Sequence, residues 1–171
     1  MNEVIKSLTQ RRSCRSYKSD PIPEDVLSQI LEAGTYAATG MGKQSPIIIA
    51  VTDKAARDKL SKMNAAVMGF DGDPFYGAPA VLVVLAKKDV GTYIYDGSLV
   101  MGNLLNAAHA LGLGSCWIHR AKEEFESEEG KQILASLGIE GEYEGIGHCI
   151  LGYPAAEGKA APRKSDYVYR I

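Results

Sequence analysis

The run Ala80-Val81-Leu82-Val83-Val84-Leu85-Ala86 contains no polar side chain. A strand points successive side chains to opposite faces, so a strand with nothing polar in it is buried on both. Any sheet built around this strand must be covered on its two sides, and the rest of the chain has to supply the cover. Ile47–Thr52 is β-branched and almost as apolar, and reads as a second buried strand. Ser115–His119 reads as a third, and Tyr143–Leu151 as a fourth broken by Gly145 and Gly147.

Helical patterns fill the intervals. Asn2 caps a short helix over Glu3–Gln10, with Val4, Ile5 and Leu8 on one face. Asp20-Pro21-Ile22-Pro23-Glu24-Asp25 opens a second helix with acids in its first turn. Its stripe is Val26, Leu27, Ile30, Leu31 and Gly34, and it should end near Ala38-Thr39-Gly40. Asp53 is a cap for a polar helix running to Met63 or beyond, before the loop Gly69–Pro74. Tyr93–Leu111 has the most regular pattern. Its small residues Gly97, Ser98, Gly102, Ala107 and Ala110 suit a packed central or dimer helix. Glu128–Leu137 is a short helix stopped by Gly138. The tail from Ala155 is rich in Ala, Gly and Pro but ends Tyr167-Val168-Tyr169-Arg170-Ile171, which should dock as an extended strand, on this chain or on a partner subunit. With no internal repeat and no long linker, residues 1–171 read as one domain.

Charge is distributed unevenly. Residues 1–18 hold five Lys/Arg and one acid, residues 159–171 hold four and one, and the span between is acidic, for a net charge of -2. That balance argues against nucleic acid, which needs a dominant basic face. No apolar run approaches the ~20 residues that span a bilayer. The N-terminus lacks the pattern of a signal peptide, and a reducing cytoplasm is the expected compartment. Cys14, Cys116 and Cys149 are too few and too far apart for a disulfide framework or a metal site. Each reads as a small buried residue. The basic ends hold Arg11-Arg12-Ser13-Cys14-Arg15 and Arg163-Lys164. Arginine forks match phosphate oxygens bidentately and a serine hydroxyl adds a neutral hydrogen bond. The two clusters therefore read as halves of one clamp for a specific anion.

Several segments, in order, resemble the FMN-dependent nitroreductase family. They are Arg11 to Tyr17 with Pro21-Ile22-Pro23 and Ile30-Leu31-Glu32-Ala33-Gly34; Ala37 to Pro46; Gly77-Ala78-Pro79 and the strand after it; Asp96 to Ile118; and Leu151-Gly152-Tyr153-Pro154 with Pro162-Arg163-Lys164. The resemblance implies a tightly bound FMN whose phosphate is held by Arg11, Arg12 and Ser13 from one end and Arg163 and Lys164 from the other. It implies that Arg15 reaches the pyrimidine side of the flavin, where a cation stabilises the charge gained on reduction. Gly42, Lys43 and Gln44 would meet the ring's polar edge, although many relatives carry Asn where this chain has Gly42. Ser115, Cys116, Trp117 and Ile118 would run along the flavin. His119 follows that strand and could lie near the ring, while His109 reads as structural.

The combined expectation is an α+β, three-layer fold, mostly antiparallel in its sheet and flanked by helices, assembled as a homodimer with FMN between subunits. NAD(P)H would be a transient cosubstrate, giving hydride to the flavin in a ping-pong cycle, and a nitroaromatic, quinone or similar small-molecule acceptor would take the electrons. No acid–base catalytic residue is assigned. A flavin-binding carrier or sensor without turnover is the alternative.

Overall fold

The computed structural model describes all 171 residues. Four strands, β1 (Pro46–Val51), β2 (Ala80–Lys87), β3 (Gly114–Ile118) and β4 (Tyr143–Gly152), form one sheet in the order β1-β2-β4-β3. Every neighbouring pair is antiparallel. Six helices accompany it: α1 (Glu3–Gln10), α2 (Glu24–Thr35), α3 (Lys54–Met68), α4 (Tyr93–Ala110), α5 (Ala121–Glu126) and α6 (Glu128–Ser136).

The apolar run in β2 has the predicted consequence. Ala80 through Ala86 are all buried, and they divide by parity between two cores. Leu82, Val84 and Ala86 join Leu27 and Ile30 of α2 and Val100, Met101 and Leu104 of α4 on one face. Val81, Val83 and Leu85 join Leu60 of α3, Phe125 of α5 and Leu134 of α6 on the other. The result is three layers, helices on sheet on helices.

The glycines of β4 do not break the strand; they shape it. Register shifts so that Val84 faces Gly147 and Leu85 faces Gly145, leaving Ile146 as the extra residue of a bulge. Gly145 then faces α5, where a Cβ would lie 2.2 Å from the Ala121 carbonyl oxygen, and Gly147 faces the opposite layer, where a Cβ would lie 2.4 Å from the Trp117 indole nitrogen. The bulge is what turns two residues of equal parity to opposite faces.

Two expectations need correction, and one helix was missed. Helix α2 ends at Thr35, short of residues 38–40, because the following chain is drawn to Asp96 of α4, as described below. Helix α5 was not legible in the sequence. It is six residues long, and one of its three buried side chains is Glu124. The tail forms no strand on its own chain. Beyond Ala155, whose N–H donates to the Ser16 carbonyl at 2.9 Å, it runs exposed, including Tyr167, Val168, Tyr169 and Ile171.

Helix α1 buries none of its residues, so the stripe of Val4, Ile5 and Leu8 faces outward. Ile94, Tyr95 and Leu99 of α4 are exposed as well. No helix is long and apolar enough to cross a membrane.

Candidate functional site

The N-terminal basic cluster is fastened to the edge of the sheet. Arg11 closes α1. Ser13 then forms a parallel bridge with Ser115, and the Cys14 N–H donates to the Ser115 carbonyl at 2.9 Å. The Cys14 thiol is buried against Gly114, where a Cβ would come within 2.7 Å of its own Cβ. Tyr17 bridges Pro154 and donates its hydroxyl to the Cys14 carbonyl at 2.6 Å. These contacts lay residues 11–17 along β3 and beside the start of the tail. Further on, a Cβ at Gly158 would lie 2.8 Å from the Arg12 Cβ, so the tail crosses the cluster.

Arg11 Nη1 is buried and has no hydrogen-bond partner in the protein. A buried cationic donor left unsatisfied is costly, so such an atom marks a place where an acceptor is missing. His109, on the last turn of α4, has its pKa lowered by partial burial and then by the charges of Arg11 and Arg12. His109, which the sequence marks as structural, lies in the positive field of the cluster. Arg12 Nη1 donates to the Thr9 and Arg11 carbonyls at 2.7 Å, so Arg11 Nη1, the remaining Arg12 N–H groups and the Ser13 hydroxyl form the donor set, which fits a phosphate group.

Arg163 and Lys164 lie on the exposed tail. Arg163 Nη2 donates to the Ala161 carbonyl at 2.9 Å, and the Lys164 ammonium sits 5.5 Å from the Tyr167 ring centre. Within one chain the tail passes the cluster at Gly158, but these two basic residues make no hydrogen bond to Arg11, Arg12 or Ser13.

Gly42, Lys43 and Gln44 belong to a different corner. Asp96, buried near the start of α4, accepts from the Gly40 N–H at 2.9 Å, the Ser45 hydroxyl at 3.0 Å and the Thr92 hydroxyl at 3.0 Å. This carboxylate ties down a 3₁₀ turn at Gly40–Gly42, where Met41 and Gly42 have positive φ, as does Gln44 just beyond it. Gly42, at φ 64°, occupies a region that Gly and Asn enter most readily. Asp96 and His109 are thirteen residues apart on one helix, or about 20 Å. The turn and the arginine cluster therefore sit at opposite ends of α4, and one chain cannot bring both to a single small ligand.

Of the N-terminal basic residues only Arg15 borders a cavity of about 500 Å³, which is also lined by Trp117, His119, Phe70, Tyr76 and Arg120. Cys116, Trp117 and Ile118 form its sheet wall, although Cys116 and Ile118 point their side chains into the core shared with α3 and α6; Ser115 is buried and does not border it. A larger cleft of about 660 Å³ lies near Lys54 and Thr52, but its charged groups are spent on one another. There Asp58 pairs with Lys54 at 2.5 Å and Asp73 with Arg57 at 2.5 Å, leaving no charge for a ligand.

Asp73 also borders the smaller cavity. Burial raises its pKa, but hydrogen bonds from Arg57, Ser61 and the Gly77 and Phe75 amides outweigh that and hold it at about 2. A carboxyl whose pKa is depressed by folding stabilises the fold above its ordinary range, and that contribution is lost as pH falls through the folded value. Stability measured by urea titration should therefore decline between about pH 4 and pH 2, and Asp73→Asn should flatten that part of the profile.

The chain matches the sequence profile of the nitroreductase family over residues 8–71 and 66–153. It is a member of the nitroreductase family. An NAD(P)H FMN reductase of Bacillus subtilis (strain 168) is 27% identical over 180 residues, covering 95% of this chain and 70% of that protein. Among solved structures, a nitroreductase with bound FMN from Bacteroides fragilis NCTC 9343 superimposes with a TM-score of 0.91 at 28% identity, covering all of both chains. An FMN-dependent nitroreductase from Clostridium difficile R20291 gives 0.81 at 29% identity, covering 97% of this chain and 98% of that one. The four-stranded antiparallel sheet with six helices is thus the nitroreductase fold in a short form.

Sequence reasoning missed Asp96 and Arg120 in this nitroreductase. Asp96 lay inside a quoted segment, but nothing local marks it as the anchor of a turn more than fifty residues earlier. Arg120 followed a strand and looked like any solvated arginine.

Proposed function

We propose that this nitroreductase is an NAD(P)H-dependent FMN oxidoreductase that works as a homodimer. The observation that carries the reading is the partnerless, buried Arg11 Nη1 in a cluster with Arg12 and Ser13. Bound FMN would supply two-electron chemistry, taking hydride from NAD(P)H and passing the electrons to a small acceptor such as a nitroaromatic or quinone. The protein's own residues would bind and orient. Arg11, Arg12 and Ser13 would hold the phosphate, and Arg15 would face the pyrimidine side from the cavity. Trp117 and the backbone of β3 would form the wall along the ring.

The homodimer follows from what one chain leaves unfinished. The stripe of α1, the exposed residues of α4 and the apolar end of the tail all call for cover. Gly42, Lys43 and Gln44 are at the wrong end of α4 to serve the same chain's Arg11, so they would meet the flavin bound by the other subunit. In a two-fold dimer the arrangement is reciprocal, and two equal sites result. Arg163 and Lys164 would complete the phosphate clamp once the tail is seated.

Because the clamp addresses a phosphate, FMN should bind at least about a hundredfold more tightly than riboflavin, as two or more charge-assisted hydrogen bonds require. Equal affinities in a fluorescence titration would remove the clamp. The same titration followed by NMR gives an independent sign. A phosphate seated between Arg11 and Arg12 offsets the charges that depress His109, so the midpoint of the His109 ring resonance should move to higher pH on adding FMN. Ping-pong turnover predicts parallel lines in double-reciprocal plots at several acceptor concentrations; intersecting lines would mean that cosubstrate and acceptor bind together.

A further inference from the structure

The cavity beside β3 holds a second arginine that the flavin does not account for. Arg120 lies just beyond β3 with φ 76°, a backbone conformation that side chains other than glycine rarely adopt. Its Nε and Nη2 both donate to the Asn64 carbonyl oxygen, at 3.1 and 2.9 Å. Asn64 is fully buried, and its amide nitrogen is committed to the Glu124 carboxylate and to the His119 carbonyl. The amide therefore cannot flip, and it presents its oxygen to the guanidinium.

The partner that fixes Arg120 is neutral. Arg120 takes part in no ion pair, unlike Arg57 nearby, which is neutralised by Asp73 and Asp58. Asp73 is the one carboxylate bordering the cavity, and Arg57, Ser61 and the Phe75 and Gly77 amides already occupy it. The cavity thus combines aromatic walls from Phe70, Tyr76 and Trp117 with a guanidinium that is held in place and uncompensated. A carboxylate in place of Asn64 would have fixed the side chain equally well while cancelling its charge.

We propose that Arg120 is a specificity-determining residue that selects flat acceptors carrying a carboxylate or similar anionic group on the ring. This rests on the oxidoreductase reading above, in which Arg15 serves the flavin and Arg120 is the cation left for the acceptor.

The test uses the FMN-loaded dimer with 4-nitrobenzoate and its neutral methyl ester as probes. In Arg120→Gln, the ratio of kcat/KM for the acid to that for the ester should fall about tenfold or more, the loss expected for a charge-assisted hydrogen bond. The ester should be unaffected. The Kd of 4-nitrobenzoate for the oxidised protein, read from the shift in the flavin spectrum without reductant, should weaken by a similar factor. Arg120→Lys keeps the charge without the fork and should lose about threefold; it carries the test if the glutamine variant fails to fold. A ratio unchanged in both variants, or an equal loss for acid and ester, overturns the proposal in favour of a purely structural Arg120. Failure of the wild type to hold FMN, or to be reduced by NAD(P)H, is visible before any acceptor is added and would bring down the oxidoreductase reading and this proposal together.

Discussion

Replacing Arg11 with Ala should weaken FMN binding by about 3 kcal/mol, roughly 150-fold in Kd, while leaving the FMN-free protein at least as stable as before. Both halves come from one atom. With no ligand, Nη1 is a buried donor with nothing to donate to, and the guanidinium charge also presses on His109. Removing the side chain relieves both. With FMN present, the same atom would make a short charge-assisted bond to a phosphate oxygen, and the rest of the fork a second. Stability and binding therefore move in opposite directions, as they do where a site is held ready at a cost to the fold. The measurements are a thermal melt without FMN and a fluorescence titration with it. An Arg11 that was only part of the scaffold would give the reverse pattern, a lower melting temperature and an FMN affinity within about threefold of wild type.

Glu124→Ala should destabilise the fold by about 3–5 kcal/mol, because it leaves more than one buried polar partner unsatisfied at about 1–3 kcal/mol each. Glu124 and His148 are fully buried and meet at 3.1 Å. Asn64 donates to the other carboxylate oxygen. His148 Nδ1 already lacks a partner, so losing Glu124 would leave both ring nitrogens unpaired inside the core that contains Phe75. Urea unfolding followed by the fluorescence of Trp117, the single tryptophan, would report it. Glu124→Gln keeps the shape and one acceptor, and should cost about half as much or less. A loss below about 1 kcal/mol for the alanine variant would mean that the network is not a structural support.

The parts of this nitroreductase that could be read in the sequence are those that a short window decides. Ala80–Ala86 required burial on two faces, and from that followed the three layers. The regular pattern of Tyr93–Leu111 placed α4 nearly to the residue. Arg11, Arg12, Ser13 and Arg15 stood out because basic residues are clustered there in an otherwise acidic chain. What was not legible depends on distant partners. Helix α2 stops early because Asp96 holds Gly40 and Ser45. Helix α5 is held by tertiary contacts, among them Glu124 with Asn64 and His148, and lacks the apolar spacing that announces a helix. The tail's apolar end suggests a docking strand on this chain or a partner, and on its own chain it forms none. Arg120 gained its meaning only from Asn64, fifty-six residues away.

The most direct test of the central claim is the visible spectrum of the FMN-loaded protein, recorded anaerobically before and after adding NADH or NADPH. The account predicts that the flavin band bleaches and that its colour returns on adding a quinone or nitroaromatic. A bound flavin that keeps its colour with both nicotinamides would contradict it, and would make this chain a carrier or sensor of FMN.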